Sequence, residues 1–460
     1  MTQPARASYA SRPITTATSE ARPGRHANLV TSAQIEPGDV AAAPVAIFDS
    51  YWATTLAFTS SLGKRGVPMH FYGSSGGGRW SRYCARRAPC PPVQDAEKFL
   101  PWLEARIRSG EITRVAPTTD LIAYYISLLR DLFPPEVRRT IAPVSETEGC
   151  LIKTRFATLC EQIGQPTPAT ADAQDIDGAL AAAERLGYPL ILKPKSHLVV
   201  GFDERGDVVN DAAELRRAFR RYRIAPGQEM LARQFPDLLW PLLQKYIPAA
   251  RTSVFSVSGF KDADGGIIAA SLSCKRKQWP PDTGISTSQI SCNDQRVLDA
   301  GLAAVDRLVS CGIFELELLV SGDELLAIDL NPRAFGFLSL DISLGNDLPW
   351  LWFASTLRIL SAPTELPGRR PVVEARLLIP YWLGRTIARV FSLGVANGAA
   401  LEQDAASRTV SMLGQWSDPL PMLMSNLRLL RHPGGLVRPY LRAAIKARRN
   451  GSQLSQQHSN

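Results

Sequence analysis

Gly312-Ile313-Phe314-Glu315-Leu316-Glu317, followed by Leu325-Leu326-Ala327-Ile328-Asp329-Leu330-Asn331-Pro332-Arg333, is the stretch on which the fold turns. Polar and apolar residues alternate in each run, which is the period of a strand, and Ser321-Gly322-Asp323 between them predicts a tight turn. In the resulting hairpin Glu317 and Asp329 stand side by side. Asp329 and Asn331 are two apart, so their side chains leave the same face of the second strand. Two carboxylates and an amide oxygen on one surface are hard ligands of the kind that hold magnesium against nucleotide phosphates. Arg333 continues that face, and its planar fork could reach a transferring phosphate. An ordinary exposed hairpin with solvated ion pairs would carry the same residues, so this piece alone leaves both readings open. Glu315 shares the parity of Glu317 and is read as a surface or supporting acid, without a metal role.

Outward from the hairpin, Lys193 ends the apolar run Leu190-Ile191-Leu192 and precedes Pro194, a place from which a lysine projects into a cleft or into water. Lys153 lies on a helix, where a surface lysine is the plain alternative. Leu242-Leu243-Gln244-Lys245-Tyr246-Ile247-Pro248 is an apolar strand edge, stopped by proline, whose backbone could hydrogen-bond an adenine. Lys275-Arg276-Lys277, ahead of Pro280-Pro281-Asp282-Thr283-Gly284, reads as a mobile anion-binding segment or as a solvated basic strand. Arg251 is a weaker candidate for the same pocket.

The order of these pieces resembles a known family. Lys153, Gly164-x-Pro-x-Pro168, Tyr188-Pro189, Lys193-Pro194, Gln244-Lys245-Tyr246-Ile247-Pro248, Gly312, Glu317 and Asp329-x-Asn331-Pro332-Arg333 together look like the ATP-grasp superfamily, over residues 44 to 360. The nearest branch is that of the carboxylate–amine ligases, with carbamoyl phosphate synthetase-like and biotin carboxylase-like proteins. The resemblance implies an α/β fold (α+β in the central module), with a Rossmann-like domain preceding the ATP-grasp module. It implies ATP and Mg2+, or Mn2+, as cofactors. Lys153 and Lys193 would contact the phosphates, and Gln244, Lys245, Tyr246 and Ile247 would border the adenine, Lys245 and Ile247 through backbone groups. Glu317, Asp329 and Asn331 would hold the metal, Arg333 would stabilise the phosphoryl group in flight, and Lys275 or Arg276 would border an acyl phosphate. The implied reaction is activation of a small-molecule carboxylate for attack by an amine. Carboxylation chemistry with bicarbonate and a non-catalytic ATP-binding scaffold remain as alternatives. There are two departures. Asp329 stands where the family more often has Glu, and Lys195-Ser196-His197-Leu198 replaces the glycine-rich phosphate loop expected after Lys193. His197 is read as substrate-facing or as a loop histidine without a role.

The rest of the chain sets the frame. Its 460 residues exceed one ordinary domain, and a 45% hydrophobic content provides a sizeable core. No run approaches the roughly eighteen apolar residues of a membrane span. Seven cysteines without a CxxC pair, and five histidines without an HxxxH or HxH arrangement, argue against a disulfide framework and against zinc. A reducing cytoplasm is therefore expected. The net charge of +9 suits phosphate-bearing substrates and an unspecialised soluble surface equally. Residues 1–43 lack both a periodic apolar face and the hydrophobic stretch of a secretory signal, and are expected to be a disordered tail. Strands at Val45–Phe48, Val67–Tyr72 and Ile112–Pro117, with helices at Thr54–Lys64 and Leu121–Leu132, predict a parallel doubly wound domain over 44–144. The ATP-grasp module is placed at 145–363 and a C-terminal extension at 364–460. Between Arg428 and Arg449 the cations Arg431, Arg438, Arg442, Lys446 and Arg448 are interleaved with leucines and lack any acid. A solvated helix closing the ligase, or one in weak contact with an anionic membrane or an acidic partner, accounts for that pattern. Aromatic interleaving for nucleic acid is missing, so no nucleic acid is expected; a homodimer is compatible with everything above.

Overall fold

The computed structural model describes residues 40–48, 52–74, 76–199, 206–222, 224, 226–264, 266–279, 285–360, 372–377, 406, 408–413 and 417–431. The expected N-terminal tail, most of the loop around Pro280–Gly284 and the basic stretch beyond Arg431 lie outside the described residues.

Strands β1 (Val45–Phe48), β2 (Met69–Tyr72) and β3 (Cys84–Ala88) form a parallel sheet in the order β1-β2-β3. All four residues of β1 are buried, as expected of a parallel strand covered on both faces. Helix Trp52–Gly63 makes the first crossover, and the chain leaves it through Gly66 at φ +81°, a left-handed conformation that suits glycine. The strand expected over Ile112–Pro117 shrinks to a single parallel bridge, Ala46 to Val115. Ala46 N–H bonds Arg114 O and Ala116 N–H returns to Ala46 O, but the next donor of that ladder, Thr118 N–H, turns back onto Ala116 O at 2.9 Å.

A four-stranded sheet follows, built from β4 (Thr170–Asp172), β5 (Leu190–Lys193), β6 (Asp207–Val209) and β7 (Leu242–Lys245) in the order β4-β7-β5-β6. Helices Ile176–Leu186 and Ala212–Arg221 pack against it around Leu190, Leu192, Leu215 and Leu243. Each starts on an aspartate cap: Asp175 accepts from Gly178 N–H and Asp211 from Glu214 N–H, both at 2.7 Å.

The largest sheet has the order β12-β11-β8-β9-β10-β13-β14, with β8 at Val254–Lys261, β9 at Ile267–Trp279, β10 at Ile285–Ser291, β11 at Gly312–Ser321, β12 at Glu324–Asn331, β13 at Val373–Arg376 and β14 at Arg408–Ser411. The last two strands come from the region anticipated as a C-terminal extension, so that region completes this sheet. One face carries Phe255, Val257, Leu272, Cys274, Ile290, Phe314, Leu316 and Leu318, covered by helix Gln295–Leu308 through Val297, Ala304, Val305 and Leu308. On the opposite face, the end of the sheet bearing Phe260, Ala269 and Ile313 packs on Phe58, Leu338, Trp352 and Phe353. Gly259 is fixed here by contact: a Cβ would collide with the Ala269 carbonyl and sit 2.6 Å from the Phe314 ring. Gly259→Ala is therefore expected to destabilise the protein by about 1–3 kcal/mol, read as a lower urea midpoint at unchanged slope.

Among the described residues, no helix is long and apolar enough to cross a membrane.

Candidate active site

The hairpin forms as its alternation predicts. Ser321 pairs with Glu324 across the two-residue loop Gly322-Asp323, and Gly322 adopts φ +60°. Glu317 lies opposite Asp329 and Glu315 opposite Asn331. An irregularity between Glu317 and Leu318 leaves Ile328 without a ladder partner, so the register shifts just below the acids.

Because side chains alternate, the face opposite helix Gln295–Leu308 is polar over five strands. Glu317 stands opposite Ser256, Glu315 opposite Ser258, Ser256 opposite Ser273, and Gln289 opposite Lys275. These groups saturate one another: Ser256 Oγ donates to Glu315 Oε1 at 3.0 Å, and Gln289 Nε2 donates to Ser273 Oγ at 3.0 Å. Ser258 donates to Asp341 at 2.9 Å, and Ser271 bonds the same carboxylate oxygen. Ser256 and Ser258 of β8, and Ser271 and Ser273 of β9, two apart in each strand, give the sheet this polar side.

The candidate ligands each carry a partner on this face. Lys153 Nζ lies 2.6 Å from Asp329 Oδ1, and Lys275 Nζ 3.1 Å from Glu317 Oε1. Arg333 donates to Asn331 Oδ1 at 2.8 Å and to its neighbour's carbonyl at Ala334, and pairs with Asp120 at the start of helix Asp120–Leu128. Asn331 Nδ2 in turn donates to Glu315 Oε2 at 3.2 Å. Burial tends to raise the Asp329 carboxyl, but Lys153, Lys193 and His197 outweigh it and hold it below the usual carboxylate range. The Lys193 ammonium is pulled down to about 8 by burial and by Lys153, against the opposing pull of Asp329 and Glu317. Glu315 is pushed well up, first by burial and then by the charge of Glu317 beside it.

Helix Lys153–Gln162 presents Lys153 from its first position, and its opening N–H bonds Lys195 O at 2.9 Å. Lys195 is itself fully buried, tied to Asp172 at 2.5 Å and to Asp237 O at 2.7 Å. The stretch standing in place of a glycine-rich loop is thus anchored rather than free, with Ser196 and Leu198 buried beside it. Gly164–Pro168 latches the same helix to the hairpin, Pro166 O accepting from Ala327 N–H and Gln165 donating to Leu325 O, both at 2.8 Å.

Lys245 N–H bonds Ala169 O and Tyr246 N–H bonds Pro189 O. The Lys245 ammonium turns back onto Gly187 O at 2.8 Å and Tyr188 O at 3.3 Å. Gln244 is buried and donates to Thr170 Oγ1 at 3.0 Å, and Ile247 follows where β7 ends. Gln244 and Lys245 pair with Ile191 and Leu190 of β5, and Lys193, the last residue of that strand, lies opposite Leu242.

Lys153, Lys193, Lys275, Arg333, Glu317, Asp329 and Asn331 come together. Arg276 does not: it reaches Glu374 of β13 at 3.3 Å, a carboxylate also held by Arg376 and Ser288. As the next residue of β9, Arg276 leaves the strand on the face opposite Lys275. Of the two readings of Glu315, a surface or a supporting acid, its 3% exposure and place inside the cluster remove the first and leave the second. Asp120, Ser256 and Gln289 were not anticipated; the Ser-x-Ser spacing of β8 was the available signal for the second.

No family model matches the chain. In sequence it is 24% identical over 212 residues to the carbamoyl phosphate synthase arginine-specific large chain of Lactiplantibacillus plantarum, a match covering 42% of this chain and 18% of that one. The chain thus spans less than a fifth of that relative's length. Among solved structures it resembles the L-amino acid ligase of Bacillus licheniformis, with TM-score 0.53 and 18% identity over 72% of this chain and 78% of that chain. It also resembles the biotin carboxylase domain of Hydrogenobacter thermophilus 2-oxoglutarate carboxylase, crystallised with MgADP and bicarbonate, with TM-score 0.54 and 13% identity over 68% of this chain and 69% of that chain. The structure thus has the fold of the ATP-grasp enzymes, and the proteins it is similar to in sequence and in structure are ATP-grasp carboxylate–amine ligases.

Proposed function

We propose that the protein is an ATP- and magnesium-dependent ligase that activates a carboxylate as an acyl phosphate, which an amine then attacks to give an amide. The observation that carries this reading is the pairing, on one sheet face, of every candidate metal ligand with a cation suited to phosphate: Asp329 with Lys153, Glu317 with Lys275, Asn331 with Arg333. The donor set fits a divalent ion. Burial first, and then the charge of Glu317 beside it, pushes the Glu315 carboxyl up, and a dication would relieve the second of these. Two carboxylates and an amide also leave coordination positions for phosphate oxygens, as magnesium sites at nucleotides require.

In this reading Asp329, Glu317 and Asn331 hold the ion, with Glu315 against them. Bound magnesium would neutralise charge developing on the transferred phosphoryl group. Lys153 and Lys193 exchange their carboxylate neighbours for phosphate oxygens, and the backbone of Gln244–Ile247 borders the base. Lys275, on the β9 side of Glu317, is placed to neutralise the activated acid. Arg333 is oriented by Asp120 toward the Asn331 end of the face.

The test is product analysis. ATP supplied with pools of small carboxylates and amino acids should give ADP and phosphate, and hydroxylamine should trap the activated acid as a hydroxamate. Release of AMP, or of ADP without a trappable product in any pool, would remove this reading. Trapping that requires bicarbonate alone would favour the carboxylation chemistry instead.

A pH dependence follows from Lys193. With its proton lost near pH 8 in the free protein, a phosphate must restore it, so nucleotide binding takes up a proton and weakens as pH rises above about 8. Calorimetry in two buffers of different ionisation enthalpy reads that uptake. Lys193→Arg, charged throughout this range, is expected to abolish the uptake.

A further inference from the structure

Residues 76–88 and 417–431 pack together and leave an apolar stripe rimmed by arginine. Helix Pro419–Arg431 lies on the turn Gly78–Trp80 through Pro421 and Ser425: a Cβ on Gly77 would collide with Ser425 and come 3.2 Å from Pro421 O. Asp418, just before the helix, accepts from Arg82 N–H at 3.1 Å and bonds the Ser81 hydroxyl. The helix is thus seated by Pro421 and Ser425 and by Met422, which packs on the main hydrophobic cluster. Leu420, Leu423 and Leu427, spaced three and four apart on one face, are 52%, 51% and 40% exposed, and Trp80 beside them is 43% exposed. A helix that served only to close the domain would turn its leucines inward. Grouped leucines on the outside mark a surface for an apolar partner.

The exposed charge of the rim is mostly positive: Arg86 is paired with Glu111 at 3.1 Å and Asp418 is buried, and the other arginines keep their charge. Arg82 and Arg87 lie on backbone carbonyls, Ser417 O at 3.4 Å and Arg79 O at 2.7 Å respectively, and Arg79 bonds Ser74 O, contacts that leave their charge intact. Residues 75–94 contain Arg79, Arg82, Arg86 and Arg87 and no acid. From Pro419 to Asn460 there are again no acids, and the cations are Arg428, Arg431, Arg438, Arg442, Lys446, Arg448 and Arg449.

We propose that this face docks on a bilayer surface rich in anionic phospholipid, with the leucine stripe and Trp80 at the headgroup boundary and the arginines on lipid phosphates. A nucleic acid would use the arginines but not the leucines. An acidic protein would need a groove of its own shaped to three leucines on one helix, whereas a bilayer accepts them without any matching shape. Tryptophan is suited to the same boundary. The protein would then carry out its chemistry at a membrane without spanning it.

Co-sedimentation of the full chain with phosphatidylcholine vesicles, with and without phosphatidylglycerol, tests this. The chain is expected to sediment with the anionic vesicles, to stay in solution with the neutral ones, and to be released by high salt. Leu423→Glu with Leu427→Glu should weaken binding at least tenfold, and Arg82→Gln with Arg87→Gln by roughly fivefold per charge, all at unchanged melting temperature. The proposal is overturned if anionic vesicles do not retain the chain, or if the leucine variant binds as the parent does. It is equally overturned if light scattering shows a dimer that the leucine variant dissociates, which would make the stripe a self-interface.

Discussion

Asp329→Asn is expected to lower magnesium-dependent ATP turnover by about a hundred- to a thousandfold while leaving the chain folded. The substitution keeps the size of the side chain and its place opposite Glu317, so the hairpin is preserved. What it removes is charge. Asp329 is held below the usual carboxylate range by Lys153, Lys193 and His197 against the cost of burial, so it is fully ionised at neutral pH. An amide cannot replace that anion for a dication, and it leaves Lys153 without the carboxylate 2.6 Å away. The same residue sets an acid limit on stability. A depressed carboxyl contributes stability above its unfolded value near 4, and that stability is lost as pH falls through the lower folded value. Steady-state ADP release beside a thermal melt checks both effects; turnover within tenfold of the parent would take Asp329 out of the metal set.

Asp120→Ala is expected to destabilise the protein by about 3–5 kcal/mol, the cost of leaving one member of a buried ion pair uncompensated. Asp120 and Arg333 are 10% and 12% exposed in their side chains, and the pair joins helix Asp120–Leu128 to the end of β12 across 213 positions of sequence. Asp120 also lies in the first turn of its helix, where an acid favours the helix dipole, but that effect is worth only about 0.3–1 kcal/mol. The two contributions are separable. Asp120→Asn retains an acceptor for Arg333 and should recover part of the loss, whereas a dipole effect alone would make the two variants equal. Urea unfolding that places Asp120→Ala within about 1 kcal/mol of the parent would mean that Arg333 finds another partner.

Much of this site is legible in the sequence, and the rest is hidden for identifiable reasons. Alternation in Gly312–Glu317 and Leu325–Asn331 is local and so is the tight turn, so the hairpin can be read directly; the turn alone would set Glu317 opposite Ile328, and its opposition to Asp329 depends on the register shift between Glu317 and Leu318. The exposure of a strand residue is not local. Glu315 and Glu317 share parity, but Glu315 is buried because Ser258 and Ser256 of β8 lie against it, from a strand more than fifty residues earlier. Arg276 and Lys275 look equivalent as neighbouring cations, but consecutive strand residues leave opposite faces, and in β9 it is Lys275 that reaches Glu317 while Arg276 reaches Glu374. The run Ile112–Pro117 has a strand's composition, yet the chain turns at its end, with Thr118 N–H on Ala116 O, and leaves one bridge. Strands β13 and β14 pair with each other, and β13 with β10, by long-range contact alone, which explains why the region after residue 363 reads as a separate extension.

The central claim, that the polar face of the large sheet holds a magnesium-nucleotide between its acids and its lysines, is tested most directly by calorimetric titration of ATP into the full chain with and without magnesium. Binding should require magnesium, and Lys153→Met and Asp329→Asn should each weaken it by at least tenfold, because one removes a phosphate contact and the other a metal contact. ATP that binds equally well without magnesium, or that binds both variants as it binds the parent, would contradict the account.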